Sequence, residues 1–300
     1  MNIYIYNNVI PEEILQNPTQ KAMYCSFFNI KQKTIDNKPY NYYIVPIMFR
    51  TSALMQDTEG FYLNKYVESL EYFENYPDKH IFFLQSDVNN LRPLGLLLER
   101  GVRIFCNSCG KRDHNIYPLP FFVYQFPSNA QKNIMDASYD ICFQGCSVNH
   151  KTRVKMVQKL KLISEKSVFL EENKKYFYSQ HISPHNIEIE KNRYFRNMLD
   201  SKFIMCPRGA GMNSARFFES IWAGRIPVLI ADDTRIPLEK IIPWNDLIVR
   251  VNEDEMNIEE KIQKFLNKHN IITVSEQLMK LSREYFQLNN IIKYIKLELL

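Results

Sequence analysis

Residues Ser201 to Asp233 read SKFIMCPRGAGMNSARFFESIWAGRIPVLIADD, and this stretch decides the fold. Phe203–Cys206 is an apolar run of strand length, followed by a turn holding Arg208, Gly209 and Gly211. A helix opens at Asn213 or Ser214, and a second strand follows at Ile226–Ile230. Such a strand-turn-helix-strand unit suits an anion. Glycines let the backbone approach a ligand, and the unpaired N–H groups of a helix start point toward it. Arg208 adds a planar, permanently charged fork matched to phosphate oxygens. On the helix, Arg216 and Glu219 share a face at i,i+3, while Phe217, Phe218, Ile221 and Trp222 form the apolar one. Glu219 is a carboxylate in an otherwise cationic setting, and carboxylates pair with ribose hydroxyls in dinucleotide sites. The ligand class indicated is a phosphorylated one, a nucleotide. Plainer roles stand beside these. Arg208 can be a surface arginine next to a Pro-Gly turn, and Glu219 can simply support the helix through Arg216. Ser214 can be an N-cap alone or a cap that also touches phosphate. Asp232 and Asp233 either meet sugar hydroxyls or start the next turn, and Gly224 is the helix stop.

Outward from this unit the chain keeps alternating strands and helices. Ile3–Tyr6 and Tyr42–Val45 read as strands, the second closed by Pro46, and Phe61–Tyr72 has helical spacing. Ile81–Leu84 is a continuous apolar strand of the kind buried on both faces of a parallel sheet. Leu94–Leu98 and Val102–Phe105 read as helix then strand, Asp140–Phe143 as strand, and Lys151–Ile163 as helix. Glu259–Phe265 is a further helix, and Ser275 to the C-terminus reads as one longer helix. The alternation predicts an α/β fold. The polar stretch Phe126–Ser138 marks a boundary. It gives an N-terminal domain over 1–130, a nucleotide-binding domain over 139–275 and a C-terminal helix over 276–300.

Three hundred residues suffice for two domains. A net charge of +5 is too mild to indicate a nucleic-acid partner. Its local concentration at Lys151, Arg153, Lys155, Lys159, Lys161 and Lys166 is either a solvated helix face or the edge of an anion-attracting site. No apolar run approaches the ~20 residues that span a bilayer, so no transmembrane segment is expected. The six cysteines include Cys106-x-x-Cys109 near His114, half of a zinc pattern without its second pair. Buried, reduced thiols are the expectation, and no metal.

The central block also resembles the C-terminal signature of the exostosin family of glycosyltransferases. The resemblance rests on Cys206-Pro207-Arg208-Gly209, Ser214-Ala215-Arg216, Glu219, Gly224-Arg225-Ile226-Pro227-Val228 and Asp232-Asp233. It continues through Ile242-Pro243-Trp244-Asn245-Asp246 and Ile248-Val249-Arg250-Val251. Fainter matches lie at Tyr43-Ile44-Val45-Pro46, His80-Ile81-Phe82-Phe83 and Phe143-Gln144-Gly145. The resemblance implies a GT-B arrangement: two Rossmann-like domains facing a cleft, with a C-terminal helix crossing back to the first. It implies inverting transfer of a sugar from a nucleotide diphosphate, UDP-linked, to a hydroxyl of an oligosaccharide or glycoprotein acceptor, without a metal. Arg153, Arg208, Gly209, Ser214, Arg216 and Glu219 would then bind the donor. The base that takes the acceptor's proton is expected at Asp87, with Glu59 and Asp57 as runners-up; His114 sits in a loop that reads as surface. Where the family has His-Asp, this chain has Ser86-Asp87, which puts the acceptor side in question. A catalytically silent sugar- or nucleotide-binding subunit fits the same residues. Cellular exostosins carry an N-terminal membrane anchor. Without one here, the expectation is a cytoplasmic enzyme of bacterial or viral type, or a chain trimmed of its anchor.

Overall fold

Apolar, β-branched and aromatic strands separated by amphipathic helices must pair in parallel, because each helix carries the chain back to the same edge. The computed structural model describes residues 2–6, 24–27, 40–50, 61–85, 92–111, 114–121, 132–165, 167–174 and 184–300. It divides into two units, each built on its own sheet. The first comprises Met1–Pro120, Thr234–Pro237 and Ile291–Leu300, and the second Phe121–Asp233 and Leu238–Asn290.

In the first unit, β1 (Ile3–Ile5), β3 (Tyr42–Arg50), β4 (His80–Gln85), β5 (Arg103–Cys106) and β6 (Ile116–Pro118) lie side by side in that order. All four of these pairings are parallel. β2 (Tyr24–Phe27) pairs antiparallel with β3. Its helices among the described residues include α1 (Phe61–Glu68) and α2 (Arg92–Glu99). β4 is buried from His80 to Leu84, as its unbroken apolar run requires. β3 runs on through Pro46 instead of stopping there. Its register with β4 shifts between Ile44 and Met48, and such an irregularity tolerates a residue that has no N–H to donate.

His80 lies at the centre of a tyrosine cluster. Its Nδ1 donates to the Tyr76 carbonyl at 2.8 Å and its Nε2 accepts from the Tyr6 hydroxyl at 2.9 Å. Its ring stacks on Tyr43 at 4.9 Å. Burial pushes its pKa down to about 4, so the ring is neutral at pH 7.

The second unit has a five-stranded sheet, every pairing parallel, in the order β11 (Val249–Arg250), β10 (Ile226–Ile230), β9 (Ser201–Pro207), β7 (Tyr139–Cys146), β8 (Val168–Asn173). Its helices are α3 (Lys151–Leu160), α4 (Pro184–Leu199), α5 (Ala215–Trp222), α6 (Ile258–Lys268) and α7 (Ile271–Tyr285). The order is informative. From β7 the chain moves outward to β8, then returns past β7 to place β9 on the other side. A sheet whose winding reverses in this way has its ligand crevice at the carboxyl ends of the two strands flanking the reversal, here β7 and β9.

The single long C-terminal helix expected from Ser275 onward is two. α7 stops at Tyr285, and α8 (Ile291–Glu298) belongs to the first unit. Phe286 leaves helical geometry at φ −104°, ψ 20°. The Asn290 side chain donates to the freed carbonyls of Arg283 and Glu284 at 2.9 and 3.1 Å, a C-cap that periodicity alone does not reveal. Within the first unit, the buried Tyr294 hydroxyl of α8 donates to the Pro118 carbonyl.

Candidate functional site

Two buried arginines hold the strand ends at the reversal. Arg153, in the first turn of α3, donates from Nη1 to the Cys146 carbonyl at 2.9 Å and from Nε to the Arg208 carbonyl at 3.1 Å. It thereby bridges the end of β7 to the end of β9. Arg216, in the first turn of α5, donates from Nη2 to the Gln144 carbonyl at 2.6 Å and lies 4.8 Å from the centre of the Phe143 ring. Gly145 makes room for it. Its φ is +149°, and a Cβ there would stand 2.5 Å from Arg216 Nη2. Burial opposes the charge on Arg216, but the acidic groups of Tyr194, Cys206 and Glu219 outweigh it, and its pKa is raised.

Arg208 is different. Its backbone N–H extends the β9–β10 ladder to the Ile230 carbonyl at 2.9 Å. Its guanidinium has no hydrogen bond or ion pair among the described residues, and its Nε lies out of reach of water without a partner. A shielded donor of this kind asks for an acceptor that the protein does not supply. Gly209, next to it, would bring a Cβ to 2.8 Å from Asn149 Nδ2 and 3.1 Å from Arg153 Nη2. A side chain there would push the Asn149 amide and the Arg153 guanidinium aside, so glycine suits the close approach of this turn to the end of β7.

Ser214 is the N-cap of α5, with extended backbone at φ −134°, ψ 133°. Its hydroxyl makes no capping bond; its own N–H is taken by Asn213 Oδ1 at 2.8 Å. Between β9 and α5 the chain thus offers a cation without a counter-charge among the described residues, a hydroxyl with no capping role and the N–H groups of a helix start.

Glu219 is engaged by one partner on a neighbouring helix. It accepts from the Tyr194 hydroxyl of α4 at 2.6 Å. Burial raises its pKa, against the pull of Tyr194 and Arg216. The i,i+3 pair on α5 is therefore packed, not a solvated helix face. Cys206, near the end of β9, donates to the Ile204 carbonyl at 3.3 Å, and burial pushes its thiol up to about 12, which leaves no thiolate for chemistry at neutral pH.

Sequence reading missed a second group at the same end of the sheet. His150 caps α3, its Nδ1 accepting from the Thr152 N–H at 3.2 Å and lying 3.0 Å from the Thr152 hydroxyl oxygen. That hydroxyl donates to Glu253 Oε2 at 2.5 Å. Glu253 Oε1 accepts from the Asp232 N–H at 3.1 Å, and the Glu253 N–H donates to the Asp232 carboxylate at 3.2 Å. Residues following β7, β10 and β11 are thus joined, and Asp232 is tied to this chain of bonds. Burial, then the Arg208 charge, lowers the pKa of His150. The only local signal for this group was a polar residue just before an amphipathic helix.

Asp87, Glu59 and Asp57 lie outside the described residues. His114 is exposed in its loop. Cys106 and Cys109 are both buried, and the Cys109 thiol donates to the Ile116 carbonyl at 3.3 Å.

A family model described as Exostosin GT47 domain matches residues 97–266, more than half of the chain and all of the strand-end residues above. Relatives include a protein named probable glucuronosyltransferase Os03g0107900 from Oryza sativa subsp. japonica, 33% identical over 85 residues, 28% of this chain and 20% of that protein. Another is Exostosin-1c from Danio rerio, 37% identical over 68 residues, 23% of this chain and 9% of that protein. The chain therefore matches a fifth or less of the length of these relatives. Among solved structures, TarM aligns with 75% of this chain and 56% of its own at 10% identity and a TM-score of 0.39, too low to carry an argument about fold. The relatives are plant and animal proteins, which overturns the expectation of a cytoplasmic enzyme of bacterial or viral type. No helix among the described residues is long and apolar enough to cross a membrane.

Proposed function

The chain belongs to the exostosin GT47 family, and on that premise we propose that it transfers a sugar from a UDP-linked donor to a glycan hydroxyl with inversion. The observation that carries this reading is the Arg208 guanidinium, unpartnered among the described residues, in the turn that follows β9 at the reversal point of the second sheet and leads to the Ser214 N-cap of α5. As the bond from the anomeric carbon to the diphosphate breaks, its electron pair goes to the diphosphate oxygen. Charge grows where Arg208 and the helix N–H groups can meet it without a metal. The acceptor oxygen bonds to the anomeric carbon from the opposite face and gives up its proton to a base. Asp87 is the proposed base, with Glu59 and Asp57 as alternatives.

Arg153 and Arg216 serve this chemistry by holding the strand ends: Arg153 donates to the Cys146 and Arg208 carbonyls, and the terminal nitrogens of Arg216 donate to those of Gln144 and Met205. Arg216 Nε, like Arg208 Nε, is buried without a hydrogen-bond partner among the described residues and leaves a second donor for the ligand. Gly209 serves it by letting the turn lie close to β7.

The test is a panel of nucleotide sugars screened for hydrolysis and for transfer to oligosaccharides. The reading expects turnover with UDP-sugars and a fall of roughly two to four orders of magnitude in Asp87→Asn. Turnover confined to donors on another nucleotide would overturn the UDP assignment. Tight UDP binding with no turnover on any donor would favour the silent-subunit reading instead.

A further inference from the structure

We propose that His150, which no motif in the chain marks, is a second donor to the diphosphate leaving group, acting through its Nε2–H. The inference rests on the donor site proposed above.

Three contacts place His150 beside Arg208. The Arg153 N–H donates to the His150 carbonyl at 3.0 Å, while the Arg153 side chain donates to the Arg208 carbonyl at 3.1 Å. Asn149, the residue before His150, packs against Gly209, the residue after Arg208. Two loops joined in this way hold their side chains over the same crevice, between the ends of β7 and β9.

The ring's tautomer follows from its partners. The Thr152 hydroxyl gives its hydrogen to Glu253, so it presents only lone pairs to the ring. The backbone N–H of Thr152 points at Nδ1, which must therefore accept, and the proton of the neutral ring sits on Nε2. No hydrogen bond within the protein engages Nε2 among the described residues.

A second proton, on Nδ1, displaces the Thr152 N–H from the ring, so protonation gives up that capping bond in exchange for another. In the imidazolium, Nδ1–H donates to the Thr152 oxygen at 3.0 Å, and that hydroxyl is already polarised by Glu253. The charged groups acting on the ring are Arg208, Lys151 and Arg153, which disfavour the imidazolium, and Glu253, which favours it; burial opposes it as well. A bound diphosphate reverses the sign of the first set, because it neutralises Arg208 and adds negative charge next to Nε2. His150 should then take a proton from solvent as the nucleotide binds.

Two substitutions separate this role from capping. Asn places an acceptor where Nδ1 lies and is a good N-cap, but it has nothing at Nε2. Gln reaches the Nε2 position with an N–H donor and is the poorer cap. The proposal expects UDP-sugar hydrolysis to fall on the order of tenfold to a hundredfold in His150→Asn, with part of the rate kept in His150→Gln. A capping role predicts the reverse order, and that order would overturn the proposal.

The second readout is independent of turnover. Calorimetry of UDP and GDP binding near pH 6.5, in buffers of different ionisation enthalpy, measures protons taken up. Wild type should take up more protons than His150→Asn, the nucleotide's own titration being common to both. Equal uptake, with binding intact, overturns the role of His150 and leaves the donor site standing. Binding of neither nucleotide to wild type overturns both.

Discussion

Arg208, just after β9, and Arg225, just before β10, flank adjacent strands of the same sheet and show what distinguishes a structural arginine from one that awaits a ligand. Arg225 opens onto β10 and is 1% exposed. Its donors reach the Leu199 and Lys132 carbonyls at 2.8 Å and those of Ala223 and Gly224 at 3.3 Å. Leu199 ends α4, and Ala223 and Gly224 follow α5, so one guanidinium satisfies carbonyls at two helix C-termini, the ends that attract cations. Burial pushes its pKa down to about 10, and it remains charged at neutral pH. Arg208 has the same fork but no such acceptors among the described residues, and its shielded Nε has no hydrogen-bond partner among them. Charge alone does not identify a ligand-binding arginine. The destination of its donors does.

The largest expected effect lies on the structural side of this contrast. Arg225→Met strands the Leu199, Lys132 and Ala223 carbonyls, that of Gly224 keeping the Ser275 hydroxyl, and should cost about 3 kcal/mol or more by urea denaturation, with no direct effect on nucleotide affinity in the folded fraction. A loss within about 0.5 kcal/mol would show that water replaces the guanidinium.

His80 extends the test to the first unit, where a titratable group is held neutral. Its folded pKa of about 4 lies below the ordinary value of 6.5, so the unfolded chain binds more protons between the two. Stability contributed by the neutral ring is present above pH 6.5 and is lost as pH falls toward 4. The loss amounts to as much as about 3 kcal/mol. Urea midpoints at pH 7 and pH 4.5 should diverge more in wild type than in His80→Phe; equal divergence contradicts the assignment.

Arg208→Ala comes next. It should lower donor turnover on the order of a hundredfold, about 2.7 kcal/mol of transition-state stabilisation, while stability changes by no more than about 0.5 kcal/mol. The smallest effect is at Gly145→Ala, where the new Cβ meets Arg216 Nη2 and the backbone is strained. Thermal denaturation should show a cost of about 1–2 kcal/mol, and no cost would mean that Arg216 moves freely.

What the sequence made legible was local. The strand, turn, N-cap and second strand over 201–233 could be read because glycine, serine and apolar runs act on their immediate neighbours; the structure places Ser214 as N-cap and β10 at Ile226–Ile230. The α/β alternation was legible for the same reason. The hydrogen-bond partners of Arg153 and Arg216 were not, since Cys146, Arg208 and Gln144 are brought to them by strand order, which periodicity does not encode. Nor was the chain from His150 through Thr152 to Glu253, which joins residues a hundred positions apart. The break between α7 and α8 escaped because Asn290 caps backward across a turn that keeps helical spacing.

The central claim is that Arg208 is unpaired because its partner is the donor's diphosphate. The most direct measurement is the melting temperature of wild type and Arg208→Ala with and without UDP, in the presence of EDTA. Ligand that binds only the folded state raises the melting temperature by mass action. The account predicts a rise with UDP in wild type and little or none in Arg208→Ala, whose melting temperature without ligand is unchanged. An equal rise in both proteins, or a rise that appears only when manganese or magnesium replaces EDTA, would contradict it.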